Sequence, residues 1–303
     1  MQQHEVFSHF KPFCGRVPGG FGIDFLGAKT HRDFVAGLHT YEPGTMLEGC
    51  YPNVNEEYLE WIDVLESVVA ARGSYIMIDL GAGFGRWVVR AACALKQHNE
   101  QLPYRLIAVE AEPVVFKWMV RHFQDNEIDA GKHSLIHAAI SNAPGDVLFN
   151  VGAPIGSPWD RKPDNWYGQF LTKDYDLSGE YQDDGEYSGY PARRHKSGWR
   201  SISVPGVTLA SLLKDQKLVD LIDMDIEGQE LRAVQANIEE LDAKVKRMHI
   251  GTHTKEIEDG LRQLLSAHGW HCLFDYSLFS KAETPWGTID FENGAQSWVN
   301  PRL

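Results

Sequence analysis

The chain has 303 residues, 43% of them hydrophobic, and a formal net charge of -13 at pH 7. That is enough apolar material for a sizeable core, while the acidic balance argues against a nucleic-acid partner, whose phosphates need clustered Lys and Arg. Four scattered cysteines, Cys14, Cys50, Cys93 and Cys272, form no C-x-x-C pair that would suggest a zinc ribbon or a disulfide framework, and no stretch approaches the ~20 apolar residues of a membrane span.

The opening segment lacks the charged start and apolar run of a signal peptide, so a cytoplasmic location is expected. Residues 1–54 are dense in Gly and Pro and predict an N-terminal arm of loops and short extended pieces. Between Asn55 and Ala71, Tyr58, Ile62, Leu65, Val68 and Val69 recur at three- and four-residue steps and predict an amphipathic helix capped by Asn53 or Asn55. Tyr75 to Leu80 reads as a strand that runs into a glycine-rich turn, with a helix from Arg86 to Gln97. The alternation continues with a strand at Arg105 to Val109, a helix at Val114 to Gln124, and strands at Ser134 to His137 and Asp146 to Val151. Strands that alternate with helices predict a parallel sheet.

Residues 152–200 differ in kind. Trp159, Trp166, Tyr167, Phe170, Tyr175, Tyr181, Tyr187, Tyr190 and Trp199 stand among glycines, prolines and carboxylates without helical or strand periodicity. Two readings stay open: a surface insertion packed by its own aromatics, or a lid over the substrate. The series then resumes with a helix at Thr208 to Lys214, a strand at Val219 to Met224 and a helix at Gln229 to Ile238. A strand at Val245 to Ile250, a helix at Lys255 to His268 and a strand at Trp270 to Asp275 follow. Beyond them Gly287 and Gly294 are turn candidates, and one strand is expected to return antiparallel at the sheet edge. The fold class is therefore α/β, a Rossmann-like sheet with helices on both faces, spanning 55–303 and interrupted by the 152–200 insertion.

The strongest chemical signal is Asp79-Leu80-Gly81-Ala82-Gly83-Phe84-Gly85-Arg86. Glycine lets backbone approach a ligand closely, so a nucleotide-type ligand is implied. In the dinucleotide fingerprint the third glycine packs the helix on the strand, yet that position here is Arg86. Asp79 suits a ligand with a cationic ammonium better than a pyrophosphate. Glu110, at the tip of the next strand, is placed to accept ribose hydroxyls. The third signal is Asp223-Met224-Asp225-Ile226-Glu227-Gly228. If the extended conformation persists to Glu227, two-residue periodicity puts Asp223, Asp225 and Glu227 on one face, outside the strand ends where substrates sit.

These residues together resemble an FkbM-type methyltransferase. The resemblance rests on Asp79 to Gly85, on Glu110, on Ala138-Ala139-Ile140-Ser141-Asn142-Ala143-Pro144-Gly145, and on Asp225-Ile226-Glu227-Gly228, in that order. It covers about Ser74 to Asp275 and implies S-adenosylmethionine as cofactor, held by Asp79, Gly81, Ala82, Gly83, Gly85, Glu110, Ala111, Ala139 and Ser141. It also implies O-methylation of a hydroxyl on a sugar or other small molecule. The family pattern has a Glu on the following strand where this chain has Gly251; His253 survives.

Methyl transfer from a sulfonium needs near-attack geometry and, for a hydroxyl acceptor, management of a proton. Asp225 or His253 is expected to take or orient that proton, with Glu227 positioning the substrate. Asp223, Asp225, Glu227 and His253 also form a plausible ligand set for a divalent metal. The alternatives are a module that binds adenosylmethionine without catalysis and a nicotinamide-dependent oxidoreductase.

Overall fold

The computed structural model describes residues 3–152, 171 and 181–303. Seven strands make the central sheet, in the order His271–Tyr276, Gly294–Val299, Arg247–Thr252, Leu221–Met224, Tyr75–Leu80, Tyr104–Glu110, Ser134–His137. The five from 247–252 to 134–137 pair in parallel. The 294–299 strand runs antiparallel to both of its neighbours. The returning tail strand thus exists, but it is inserted between 247–252 and 271–276, and 271–276 forms the edge. Its residues from Gly294 to Ser297 and Trp298 are buried, which suits a strand flanked on both sides.

Side chains alternate across the sheet, and both faces are covered. Tyr75, Met77, Leu106, Ala108 and Leu221 pack with the helices Tyr58–Ala70, Arg86–Asn99 and Pro113–Asp125. Ile78, Leu80, Ile107, Val109, Ile222 and Met224 pack with the helices Leu209–Leu213, Glu230–Ala236, Ile238–Lys244 and Lys255–Ala267. The helix expected through Ile238 ends at Ala236, because the Asn237 side chain donates to the Ala233 carbonyl (2.7 Å) and competes with the helical ladder.

The 58–70 helix begins at Glu57, whose side chain makes no capping bond. Glu57 is instead engaged with Arg86 and Arg90, so neither expected asparagine caps. Leu59, Ile62 and Leu65 are fully buried, each contributing about 1.5–3 kcal/mol. Residues of the arm join the same core: Val6, Phe7, Phe10, Phe25 and Leu26 are buried against this helix, with the Phe7 and Tyr58 rings 5.1 Å apart.

A second sheet departs from the expected parallel series. Gly145–Val151 pairs antiparallel with Arg200–Val207, which pairs with Tyr190–His195, which pairs with Tyr181–Tyr187. A parallel strand needs a crossover of a dozen or more residues, and the segment from 138 to 144 is too short to supply one. The described part of the aromatic insertion is therefore strand, contrary to its lack of visible periodicity. Residues 153–170 and 172–180, with Trp159, Trp166, Tyr167, Phe170 and Tyr175, lie outside the described residues. Asp184 ties this hairpin together, taking Arg194 through two bonds (3.1 and 2.7 Å) and also pairing with Arg200. A further hairpin, Ser280–Thr284 with Gly287–Phe291, carries Trp286, Ile289 and Phe291 into the core under the arm.

Candidate functional site

The glycine turn is locked from two sides. Gly81 and Ala82 both donate backbone N–H to the Val109 carbonyl at 3.0 Å. Gly81 sits at φ +82°, and a Cβ there would lie 1.8 Å from the Asp225 carbonyl oxygen. Only glycine fits. Gly83 and Gly85 are also left-handed, and Gly85 caps the 86–99 helix. Gly83 N–H donates to Glu110 Oε2 (2.8 Å), and Glu112 N–H donates to Glu110 Oε1 (2.6 Å). Burial pushes the Glu110 carboxyl up to about 8. A carboxylate has about four acceptor sites, so Glu110 keeps acceptor capacity for a further donor.

Asp79 is 3% exposed, and its Oδ2 has no hydrogen-bond partner. Burial first, then the charges of Asp223, Glu110 and Asp225, hold its carboxyl well above the usual range. A buried carboxylate oxygen left so calls for a donor or a cation. Ala111, Ala139 and Ser141 lie toward the second sheet. The side chains of Ala111 and Ala139 join its core, and Ser141 Oγ donates to the Ala143 carbonyl (2.5 Å). Glu112 caps the 113–125 helix by accepting from Val115 N–H (2.5 Å). The hairpin reaches this edge as well, with Tyr190 Oη 3.2 Å from His137 Nδ1.

On the other side of the turn stand Asp225, Glu227 and His253. The 221–224 strand ends at Met224, and the chain turns sharply: Glu227 has φ +50° and Gly228 φ +100°. The extended run expected through Glu227 therefore stops short of it: Asp223 is buried under the 58–70 helix, while Asp225 and Glu227 stand beyond the strand end. Asp225 and Glu227 converge on His253, with Nε2 3.1 Å from Asp225 Oδ1 and 3.4 Å from Glu227 Oε2. His253 Nδ1 is 2.9 Å from Glu230 Oε1. Burial alone would lower the His253 pKa, but the neighbouring carboxylates of Asp225 and Glu230 push it up to about 11.

Glu230 escapes a reading of the sequence. It is fully buried, and it accepts the N–H groups of Ile226 (3.2 Å) and Gly228 (3.0 Å) as well as bonding His253. Its signal is its place three residues after Glu227, where it can cap its own turn. Gly251 lies beside Asp225, since a Cβ there would be 3.5 Å from Asp225 Cγ. The acid absent at that position would have abutted Asp225.

A second polar layer is also missed. Asp79, Asp223, His249 and Ser297 occupy paired positions on four adjacent strands, and all are buried. Facing them is an acidic stripe at three-residue steps on the 58–70 helix and its cap: Glu57, Glu60, Asp63 and Glu66. Asp63 accepts from Arg247 Nη1 (2.5 Å) and Ser297 Oγ and lies 2.7 Å from His249 Nδ1. Glu66 takes Arg247 Nη2 (2.6 Å). Glu60 shares a hydrogen bond with Asp223, and burial and that neighbour raise its carboxyl well above its ordinary value.

Comparison with known proteins identifies the family of the chain. The model of the FkbM methyltransferase domain matches residues 79–272. A protein of Jannaschia sp. (strain CCS1) named "Putative methyltransferase" is 26% identical over 255 residues, covering 83% of this chain and 82% of the relative. Among solved structures, a precorrin-6y C5,15-methyltransferase from Geobacter metallireducens GS-15 aligns over 93% of this chain and 98% of its own, at 11% identity and a TM-score of 0.42. An FkbM methyltransferase from Methylobacillus flagellatus KT aligns over 76% of this chain and 45% of its own, at 12% identity and a TM-score of 0.41. Among the described residues no helix is long and apolar enough to cross a membrane.

Proposed function

Because the chain belongs to the FkbM methyltransferase family, we propose that it carries the methyl group of S-adenosylmethionine to a hydroxyl of a small molecule, with Asp225 receiving the proton. The residues present fit that cofactor. Asp79 Oδ2, buried and unpartnered, suits the methionine ammonium. The spare lone pairs of Glu110 suit the ribose hydroxyls, and the Gly81 to Gly85 turn admits a ligand against its backbone. When bound, the cofactor supplies an electrophilic methyl group.

The observation that carries the reading is Asp225 itself. Its backbone carbonyl is pressed against Gly81, while its side chain is 56% exposed. One residue thus holds the cofactor turn and faces the space where an acceptor must stand. His253, held as an imidazolium near neutral pH, has no free lone pair to act as base; it positions Asp225 and Glu227. A carboxylate is a weak base, so its gain comes chiefly from orienting the hydroxyl for in-line attack.

A divalent cation at Asp225, Glu227 and His253 is a variant of this reading, since their ligand atoms lie within 4.8 Å of one another. Asp223 does not join that set. Activity lost to a chelator and restored by a divalent ion selects the variant.

Labelled methyl transfer from S-adenosylmethionine to a panel of hydroxylated small molecules tests the reading. A methyl ether as product is expected. Methylation on nitrogen or carbon alone contradicts the hydroxyl assignment. A cofactor that binds without any turnover on its acceptor favours the binding-only alternative, whereas family membership sets aside the nicotinamide one.

A further inference from the structure

We propose that Glu60, Asp223 and His249 form a second site, buried beneath the 58–70 helix, that holds a divalent first-row transition metal ion. The three side chains come from three elements: the 58–70 helix, the 221–224 strand and the 247–252 strand. Each offers a ligand atom, and these atoms lie within 4.8 Å of one another. Asp223 is 3% exposed, and its Oδ1 has no hydrogen-bond partner. That orphaned oxygen calls for a donor or a cation, because a buried carboxylate is retained only when something satisfies it, and the convergence of three ligand atoms on one point favours the cation.

The histidine is set for the role. His249 is 6% exposed, and its Nδ1 is taken by Asp63 at 2.7 Å, which leaves Nε2 as the ring nitrogen available to a metal ion. A carboxylate on the far ring nitrogen orients metal-binding histidines and raises their basicity. Asp63 is fixed in turn by Arg247 and Ser297. Charge points the same way. Along the acidic stripe Glu57 is answered by Arg86 and Arg90, and Asp63 and Glu66 are answered by Arg247. Glu60 instead meets another acid, Asp223, with Asp79 and Asp225 close by. Two carboxylates and one imidazole suit manganese or zinc better than magnesium or calcium, which take oxygen ligands alone.

The rival account is a proton shared between Glu60 and Asp223, and Glu60→Gln separates the two. A glutamine amide can donate to Asp223 as a protonated Glu60 does, but it is a poor metal ligand. The experiment titrates the metal-stripped full chain near neutral pH with Mn2+ alone, reading bound ion and its nitrogen coupling by electron paramagnetic resonance, with Zn2+ competition. The wild type is expected to bind one equivalent with one imidazole nitrogen. Glu60→Gln should weaken it at least about tenfold while keeping its melting temperature in the absence of metal. His253→Gln, which dismantles the outer cluster, should keep both the equivalent and the nitrogen signal. Three results overturn the proposal: no Mn2+ or Zn2+ bound, binding unchanged in Glu60→Gln, or a nitrogen signal lost in His253→Gln. This inference stands apart from the methyl-transfer reading, since metal binding is measured without cofactor or acceptor.

Discussion

His249 lies within the 247–252 strand and His253 just past its end, and each is gripped at Nδ1 by a carboxylate, Asp63 for one and Glu230 for the other. Each sits near two further acids, Glu60 and Asp223 or Asp225 and Glu227. What differs is depth. Asp223 is sealed under a helix at 3% exposure, whereas the Asp225 side chain stands 56% open. The same side-chain chemistry is therefore fitted to holding a small ion in one place and to meeting an outside molecule in the other. The lesson is that burial, more than residue type, assigns roles to these acids.

The contrast breaks most forcefully at the gripping carboxylates. Glu230→Ala removes the partner of an imidazolium and of two backbone N–H groups, and Asp63→Ala does the same to Arg247 and His249. Each should cost about 3–5 kcal/mol of stability in urea unfolding, the usual result of orphaning a buried charge. If either is neutral, that histidine is not held as described. Asp225→Asn, on the open side, should cost less than about 1 kcal/mol in the same assay.

Smaller effects sharpen the cofactor side. Glu110→Ala should weaken S-adenosylmethionine binding by about 1–3 kcal/mol without unfolding the chain, the scale of charge-assisted hydrogen bonds. Unchanged affinity in calorimetry removes the ribose assignment. Acidity offers a test of the outer histidine as well. His253 is raised from 6.5 to about 11, so the folded state holds its proton more tightly than the unfolded one. Its stabilisation is full below about pH 6.5 and is lost as pH rises toward 11. The stability gap between wild type and His253→Gln should shrink over that window, and a gap that grows with pH contradicts the imidazolium. The smallest effect separates the two readings left open for the 152–200 segment, a lid over the substrate or a surface insertion, and it is the lid reading that makes a prediction. Proteolysis within the segment should slow when cofactor and acceptor are both present, and equal rates leave only a surface insertion.

Much of the fold was legible because strand and helix periods alternate cleanly from Tyr75 to His137 and again from Leu221 to Tyr276. The Gly81 to Gly85 turn and Glu110 could be paired from order alone, and the structure brings them to 2.8 Å through Gly83. Besides Glu230, three things were hidden. The second sheet was masked by its polar, aromatic strands: in Tyr181–Tyr187 no residue is fully buried, so no apolar alternation marks it. Glu60 and Asp63 were overlooked because a helix read for its apolar stripe gives no reason to look for acids facing inward. Asp223 was grouped with Asp225 and Glu227 by strand periodicity, but the strand stops at Met224, and the positive φ of Glu227 and Gly228 beyond it cannot be read where only one of the two is glycine.

The account turns on Asp225 serving the acceptor rather than the cofactor, and one paired measurement bears on it most directly. S-adenosylmethionine affinity and single-turnover methyl transfer are measured on Asp225→Asn, which keeps the shape of the side chain and removes its charge. Transfer should fall by about 10²–10⁴-fold, the reach of general acid–base catalysis, while cofactor affinity stays within a few-fold of wild type. Full transfer by Asp225→Asn, or a loss explained entirely by weaker cofactor binding, would contradict the assignment.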